Sequence, residues 1–510
     1  MTGQHRAGRR TRVRGVEPGT SPDGVLTILV SRLDAPVLRW LPGVLGGILV
    51  LIALVLAGVH LHDRFEINHT SGVWLGLAQA FRRGSLYLPL HAGDRYGGGR
   101  YMPLGVLLDG GLSKIVHNEL VGSKIVSLVV AAALFTVVLR VCERLGCDRR
   151  LSVGVAALPF ATSVGLEQLA GVRNDTLPVL LALAGVAVAW RSVRRGAPIA
   201  SGVLAGLAFV AKTTSVWALP VVVWWWWRRA GRATALRAAV AGVVAPAVVL
   251  VVCSSASNGR LASSVFGVRS WWPPHLLGLL TALGQDQLEM VLAIVPFVVI
   301  ALVVVMLPRA LTGTPFVASL LLATAITVPL FFDSGSAANH LLDIAVLAPI
   351  VGAVAVREAE PVGGMFLGVL RVATCVGLVL GLAGVYAFPL LHRGGQPGWH
   401  AFAAEVRPGE PILSEDASVP VSLGEQPQVL DAFALRVLAE HDPHAVQPLV
   451  DEITHHRFGE IFLVLRPESD TTNWYHVIQF GPTITTAIVS NYHFDHVTAG
   501  LNVYVPDPPR

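Results

Sequence analysis

Asp63 and Glu66 stand three residues apart in "HLHDRFEINHT", directly after an apolar run at about 40–60. A carboxylate at a membrane boundary can take the proton of an acceptor hydroxyl as a general base. A third acid, Asp175, follows Arg173 in "GVRNDT" and opens another apolar run, where a helix N-cap is the competing reading. A lone lysine, Lys212, interrupts "GLAFVAKTTSVWALP" and requires a counter-charge or an anionic ligand. Asp333, Asn339 and His340 sit together in "FFDSGSAANHLLD", and Arg82, Arg83, Arg95 and Arg100 follow the first two acids. Each has a plainer reading: Asp333 as a helix cap, His340 as a satisfied polar residue, Arg82 and Arg83 as a solvated pair. Taken together, acids beside cations suit transfer of a group from a phosphate to a hydroxyl. The Arg and Lys side chains hold the phosphate and stabilise its charge as it leaves. Such a donor carries its own energy, and the chain has no Walker A lysine motif and no dinucleotide fingerprint. "DRYGGGRY" is glycine-rich but follows no strand pattern, so a flexible loop is expected there.

The elements that position these residues are mostly apolar. Of 510 residues, 53% are hydrophobic and 14% charged, against about 25% charged in soluble domains; mean hydropathy is +0.62. This composition excludes a soluble enzyme or a nucleic-acid-binding protein and indicates an α-helical polytopic membrane protein. The tail 1–36 carries Arg6, Arg9, Arg10, Arg12 and Arg14 and has no apolar core. It is expected on the cytoplasmic side and is no cleaved signal peptide by itself. Basic loops "CERLGCDRR", "RSVRRG" and "WWWWRRAGR" alternate with acidic or polar ones, giving about eleven transmembrane helices and a C-terminus outside.

The expected spans begin with 40–60, 121–141, 151–169 and 176–190, then a hairpin of 199–212 and 215–227. Runs at 236–254, 289–307, 313–331, 339–356 and 364–391 follow. The stretch 101–117, with Asp109 and Lys114, is expected to be interfacial or re-entrant. The four tryptophans 224–227 are read as an interfacial belt. This map gathers Asp63, Glu66, Arg100, Arg173, Asp175, Lys212, Asn339 and His340 on one outer face. The domains are a basic cytoplasmic tail 1–36, a transmembrane domain 37–394 with a large outer loop 61–120, and an extracytoplasmic α/β domain 395–510 with alternating strand and helix patterns. Cys142, Cys147, Cys253 and Cys375 lack the spacing of a zinc site, so neither a metal centre nor a disulfide framework is expected.

Several segments, in order, carry a family likeness. "FEINHTSGVWLGLAQAFRRGSLYLPL…RYMPLGVLL", "GVRNDTLPVLLALAG", "SGVLAGLAFVAKTTSVWALP" and "DSGSAANHLLDIAVLAPI" resemble motifs of GT-C fold membrane glycosyltransferases. The likeness is to the bacterial branch with protein O-mannosyltransferases and the lipid A aminoarabinose transferase. "ILSEDASVPVSLGEQPQVLDAF" resembles the outer domain appended to many bacterial members. The resemblance implies transfer of a sugar from a polyprenyl phosphate to an acceptor on the outer face of the cytoplasmic membrane. It makes Glu66 or Asp63 the general base, with Glu66 preferred by its distance to the Gly84–Tyr87 turn; this chain has Asp-x-x-Glu where relatives often have adjacent acids. Asp175 would be the second acid, orienting the acceptor or a catalytic partner. Lys212, His340, Arg173, Asn339 and Arg100 would meet the donor phosphate. No cofactor is expected, and a divalent metal between two outer acids is the disfavoured alternative. The implied partners are the lipid-linked donor, membrane lipids and an envelope acceptor that is protein, lipid or glycan. Two other functions remain: a transporter or flippase of a lipid-linked sugar, and a non-catalytic envelope assembly protein. Rim-placed acids and the lack of an internal repeat speak against the transporter.

Overall fold

The computed structural model describes residues 36–64, 66–268, 313–330, 338–358, 363–387, 402–404, 406 and 409–508. The expected span at 289–307 and the candidate Asp333 lie outside these residues, as does nearly all of the basic tail. Among the described residues, five helices are long and apolar enough to cross a membrane. In the labels used below they are α1 (Pro36–His60), α4 (Glu119–Arg144), α10 (Arg232–Ala256), α13 (Leu342–Glu358, extended by a 3-10 turn from Ala338) and α14 (Gly363–Ala387). Shorter apolar helices α7 (Thr176–Arg191), α8 (Ala197–Ala211) and α12 (Phe316–Leu330) pack among them. On α1, Leu51, Leu54 and Val55 are exposed while Leu49, Ala53 and Leu56 are buried. A helix that keeps one apolar face uncovered is suited to a lipid surround. Helix α8 meets α10 through small residues: a Cβ at Gly202 or Gly206 would strike the carbonyl of Ala238 or Gly242. Backbones approach this closely at small-x-x-x-small contacts in membranes.

The run expected as one helix over 151–169 is broken. It forms α5 (Arg149–Ala157), a 3-10 turn at Leu158–Ala161 and α6 (Ser163–Ala170). Pro159 cannot continue a helical ladder, and Thr162 caps α6 by accepting from the Gly165 amide at 3.1 Å. The four tryptophans expected as an interfacial belt do not share one face. These residues lie in α9 (Ala218–Ala230), where 100° per residue turns consecutive side chains around the axis. Trp225 and Trp226 are buried, with the Trp226 indole donating to Ser201, and Trp227 is exposed.

The loop after α1 holds two short helices, α2 (His69–Arg82) and α3 (Pro103–Val116). Asn68 caps α2, accepting from the amides of Thr70 and Ser71; Pro103 suits the first position of α3. Fourteen residues rise about 21 Å, short of the roughly 30 Å hydrocarbon core, so α3 is too short to span. A last helix of this part, α11 (Arg260–Phe266), follows α10.

Residues 412–506 form a four-stranded sheet, order β1-β2-β4-β3, of β1 (Ile412–Ser414), β2 (Glu460–Leu463), β3 (Tyr492–Thr498) and β4 (Leu501–Pro506). β1 and β2 are parallel, joined through α15 (Ser418–Ser422), α16 (Ala432–His441) and α17 (Gln447–Thr454); β4 runs antiparallel to both neighbours. Helix α18 (Pro482–Asn491) leads into β3. Central β2 sends Ile461 and Leu463 into one core and Phe462 into another, so both faces are covered.

The glycine-rich loop, expected from the sequence as a flexible loop, is packed and paired in the structure. Tyr96 pairs with the C-terminal region: its amide donates to Gln428 at 2.8 Å, and the Leu430 amide donates back to Tyr96 at 2.8 Å. Its ring lies in the core of that region, and its hydroxyl donates to the Ala445 carbonyl at 2.8 Å. Gly97 has no space for a Cβ, which would strike Leu88 and the Pro89 carbonyl, and a Cβ on Gly98 would strike the Leu90 side chain. The glycines permit close approach between strands of the loop.

Candidate active site

Segments from across the chain converge: the loop after α1, the start of α2, the residues ahead of α3, α4 at Lys124, the segment 171–175 before α7, the break between α8 and α9, and the turn before α13. The first acid, Asp63, is buried. His60 Nδ1 lies 2.6 Å from its Oδ2, and Lys124 Nζ donates to the same oxygen at 3.2 Å and to the His60 carbonyl at 2.9 Å. Burial alone would raise its pKa, but the His60 hydrogen bond and the Lys124 charge win and hold it below the ordinary carboxylate value.

Glu66 is placed differently. Its side chain keeps 16% exposure, against 5% for Asp63. Lys124 Nζ lies 3.1 Å from Oε2. The Ser71 hydroxyl donates to Oε1 at 2.7 Å and the Val172 amide reaches it at 3.4 Å. Lys124 therefore bridges the two acids, one closed off and one partly open.

The second acid answers the N-cap question. Asp175 stands at the N-cap position of α7, yet its side chain makes no capping bond. Its Oδ1 instead accepts from Lys212 Nζ at 2.7 Å and from Asn339 Nδ2 at 2.9 Å, and Gln168 reaches Oδ2 at 3.4 Å. Burial pushes this carboxyl up, but the charges of Lys212 and Arg173 outweigh it, so the group is held ionised. Lys212, the lone lysine, thus has its counter-charge. His340 lies in the same electrostatic neighbourhood as Asp175 and Lys212, and its Nδ1 is buried without a hydrogen-bond partner.

Segment 171–175 ties the two acids together. Arg173 pairs with Glu167 at 2.7 Å and donates to Asn68, the α2 cap, at 3.2 Å. Ser127 of α4 donates to the Arg173 carbonyl at 2.9 Å. Asn174 donates to Asp109 of α3 at 2.6 Å, and desolvation pushes that buried carboxyl up to about 8. Tyr101 lies in the field of Asp431, Arg173, Asp175 and Arg100. Arg100 itself stacks over the Phe433 ring, 4.4 Å from its centroid, and its charge also reaches His340. The structure therefore brings Glu66, Asp63, Arg173, Asp175, Lys212, Asn339, His340 and Arg100 into one connected region. Arg82 and Arg83 stand apart from it. Arg82 pairs with Glu119, and Arg83 binds the Gly424 carbonyl. Among the described residues, no group of three or more His, Cys, Asp or Glu is placed to hold a metal ion. All four cysteines are buried free thiols.

Two solved structures have this arrangement of helices over most of their length. Both are of ArnT from Cupriavidus metallidurans, one in the apo state and one bound to undecaprenyl phosphate. They align with TM-scores of 0.54 and 0.52 at 14% and 13% identity, each covering 90% of this chain and 97% of ArnT. The chain has the GT-C glycosyltransferase fold. Residues 97–228 also match the MptA/B family, described as alpha-(1->6)-mannopyranosyltransferase, N-terminal domain. No curated protein matches the chain.

Within this GT-C chain, several polar residues of the site escaped the sequence reading: Asn68, His69, Ser71, Lys124, Gln168 and Asp431. Lys124 had a usable signal. It is a lysine inside an apolar run, the same anomaly that marks Lys212. Asn68 and Ser71 look like ordinary capping and helix residues, and nothing local distinguishes them.

Proposed function

We propose that the protein is a membrane glycosyltransferase that moves a sugar from a polyprenyl phosphate to an acceptor hydroxyl, with Glu66 as the general base. The observation that carries this reading is the Lys124 bridge: it leaves Glu66 partly exposed while closing Asp63 away. The fold shared with a protein that binds undecaprenyl phosphate, together with the mannopyranosyltransferase match, supports the lipid-linked donor.

The chemistry follows from the residues. The acceptor oxygen attacks the anomeric carbon, the bond from that carbon to the phosphate oxygen breaks, and the hydroxyl proton passes to Glu66. Lys124, 3.1 Å from Oε2, holds Glu66 in place before the transfer. The departing phosphate gains charge, and Lys212, Arg173 and Arg100 are the cations that receive it. Asp175 and Asn339 orient Lys212, and His340 adds a polar contact beside it. The site faces the extracytoplasmic side, as the basic loops require, and the sheet-bearing C-terminal region lies on that side with it. Whether the sugar is a hexose or a pentose depends on contacts to its ring hydroxyls.

Membranes carrying the wild-type protein should transfer radiolabelled sugar from a polyprenyl-phosphate donor. Glu66→Gln and Asp175→Asn should each lower turnover by about 10²–10⁴ while the protein remains folded in detergent. Full activity in both variants would sink the assignment.

A further inference from the structure

The first turn of α16 reaches into the site from the far end of the chain. Asp431, 6% exposed, lies with Oδ1 3.3 Å from His69 Nε2, at the start of α2. The same carboxylate caps α16 through the Ala434 amide at 3.1 Å. Phe433, two residues on and 6% exposed, presents its ring to Arg100. Arg100 and Asp431 also bear electrostatically on each other. The contact is continuous with a built interface. A Cβ on Gly72 would strike the Asp416 carboxylate and one on Gly76 would strike Leu430, both from the C-terminal region. Tyr96 extends the same interface by its backbone pairing with Gln428 and Leu430.

We infer that the C-terminal region forms a wall of the reaction site, and that Asp431 and Phe433 are positioning residues, holding His69 and Arg100 respectively. This rests on the glycosyltransferase reading for its consequence in turnover, though not for its consequence in phosphate binding. A guanidinium on a long side chain loses rotamer freedom when it binds a phosphate. A ring fixed beneath it removes part of that loss beforehand, so the cation is aimed before the donor arrives. Asp431 plays the matching part for the start of α2, where Asn68 meets Arg173.

The substitutions separate charge and ring from mere packing. Asn caps helices as well as Asp, so Asp431→Asn removes the charge and keeps the cap. Phe433→Met keeps volume and loses the ring; Phe433→Tyr keeps the ring. Purified variants in nanodiscs would be tested for binding of polyprenyl phosphate and for donor KM and kcat. Phe433→Met should weaken polyprenyl-phosphate binding and raise donor KM by about three- to tenfold with kcat little changed, and Phe433→Tyr should restore both. Combined with Arg100→Lys, Phe433→Met should add little, because both act on one contact. Asp431→Asn should raise donor KM with kcat little changed. Equal binding in wild type and Phe433→Met, or losses that add fully with Arg100→Lys, would overturn the inference while leaving transferase activity in the wild type untouched. If the wild type binds polyprenyl phosphate but transfers nothing, the functional reading fails, and the binding series alone decides the wall. A wild type that binds no polyprenyl phosphate overturns both.

Discussion

Lys124 is the residue on which the two first-loop acids depend. It is 3% exposed and lies within 3.2 Å of Asp63 and 3.1 Å of Glu66. Removing one partner of a buried ion pair typically costs about 3–5 kcal/mol, because the other charge is left without compensation. Lys124→Met should therefore lower stability by about that much and abolish transfer, and Asp63→Asn in the same chain should recover part of the stability. Chemical denaturation in detergent reads the first effect, and the double-variant cycle reads the coupling. Asp63→Asn alone should cost turnover less than Glu66→Gln does, since Asp63 is closed off from an acceptor. His69 gives a prediction of pH dependence. Burial works against its charge, but the hydrogen bond and charge of Asp431, helped by Asp416 and Glu415, raise it above its ordinary value of 6.5. A raised folded value means that the contribution is fully present below 6.5 and is lost as pH climbs through the folded value. The melting temperature of the wild type should fall over that upward range more steeply than that of Asp431→Asn. Identical slopes would show that the pair contributes nothing.

At the scale of elements, the glycines set how closely segments approach. Gly97→Ala has no room between Leu88 and the Pro89 carbonyl. It should displace the loop and expose Tyr96, seen as faster proteolysis near residue 96 than in the wild type. Gly93, at φ +65°, has open space where a Cβ would stand, so Gly93→Ala tests backbone strain alone and should have the smaller effect. The helical architecture was legible in the sequence because apolar runs and charged interruptions are local signals. The runs at 40–60, 176–190 and 236–254 correspond to α1, α7 and α10 with only end adjustments. That Lys212 needs a counter-charge or an anionic ligand followed from the cost of a solitary charge, but that Asp175 is its partner is seen only in the structure. The break within 151–169 did not follow, because Pro159 in an apolar run reads equally as a kink or as an end. The ordered glycine loop was misread for a different reason. Its partners, Gln428 and Leu430, are far along the chain, and single-sequence periodicity carries no information about them. Asp431 was missed on the same ground: its role exists only once α16 lies against α2.

At the scale of the whole molecule, the loop after α1 and the sheet-bearing region belong to one body although more than 300 residues separate them. Arg83 with Gly424, Tyr96 with Gln428 and Leu430, and His69 with Asp431 mark three points along that seam. The seam has a consequence in time. Residue 96 is synthesised well before residue 428, and at roughly 5–20 residues per second the interval is on the order of tens of seconds. Throughout it, Tyr96 has no strand to pair with and no core to enter. The nascent protein therefore carries an unfinished edge through that whole interval, and a segment made more than 300 residues later is what closes the first loop.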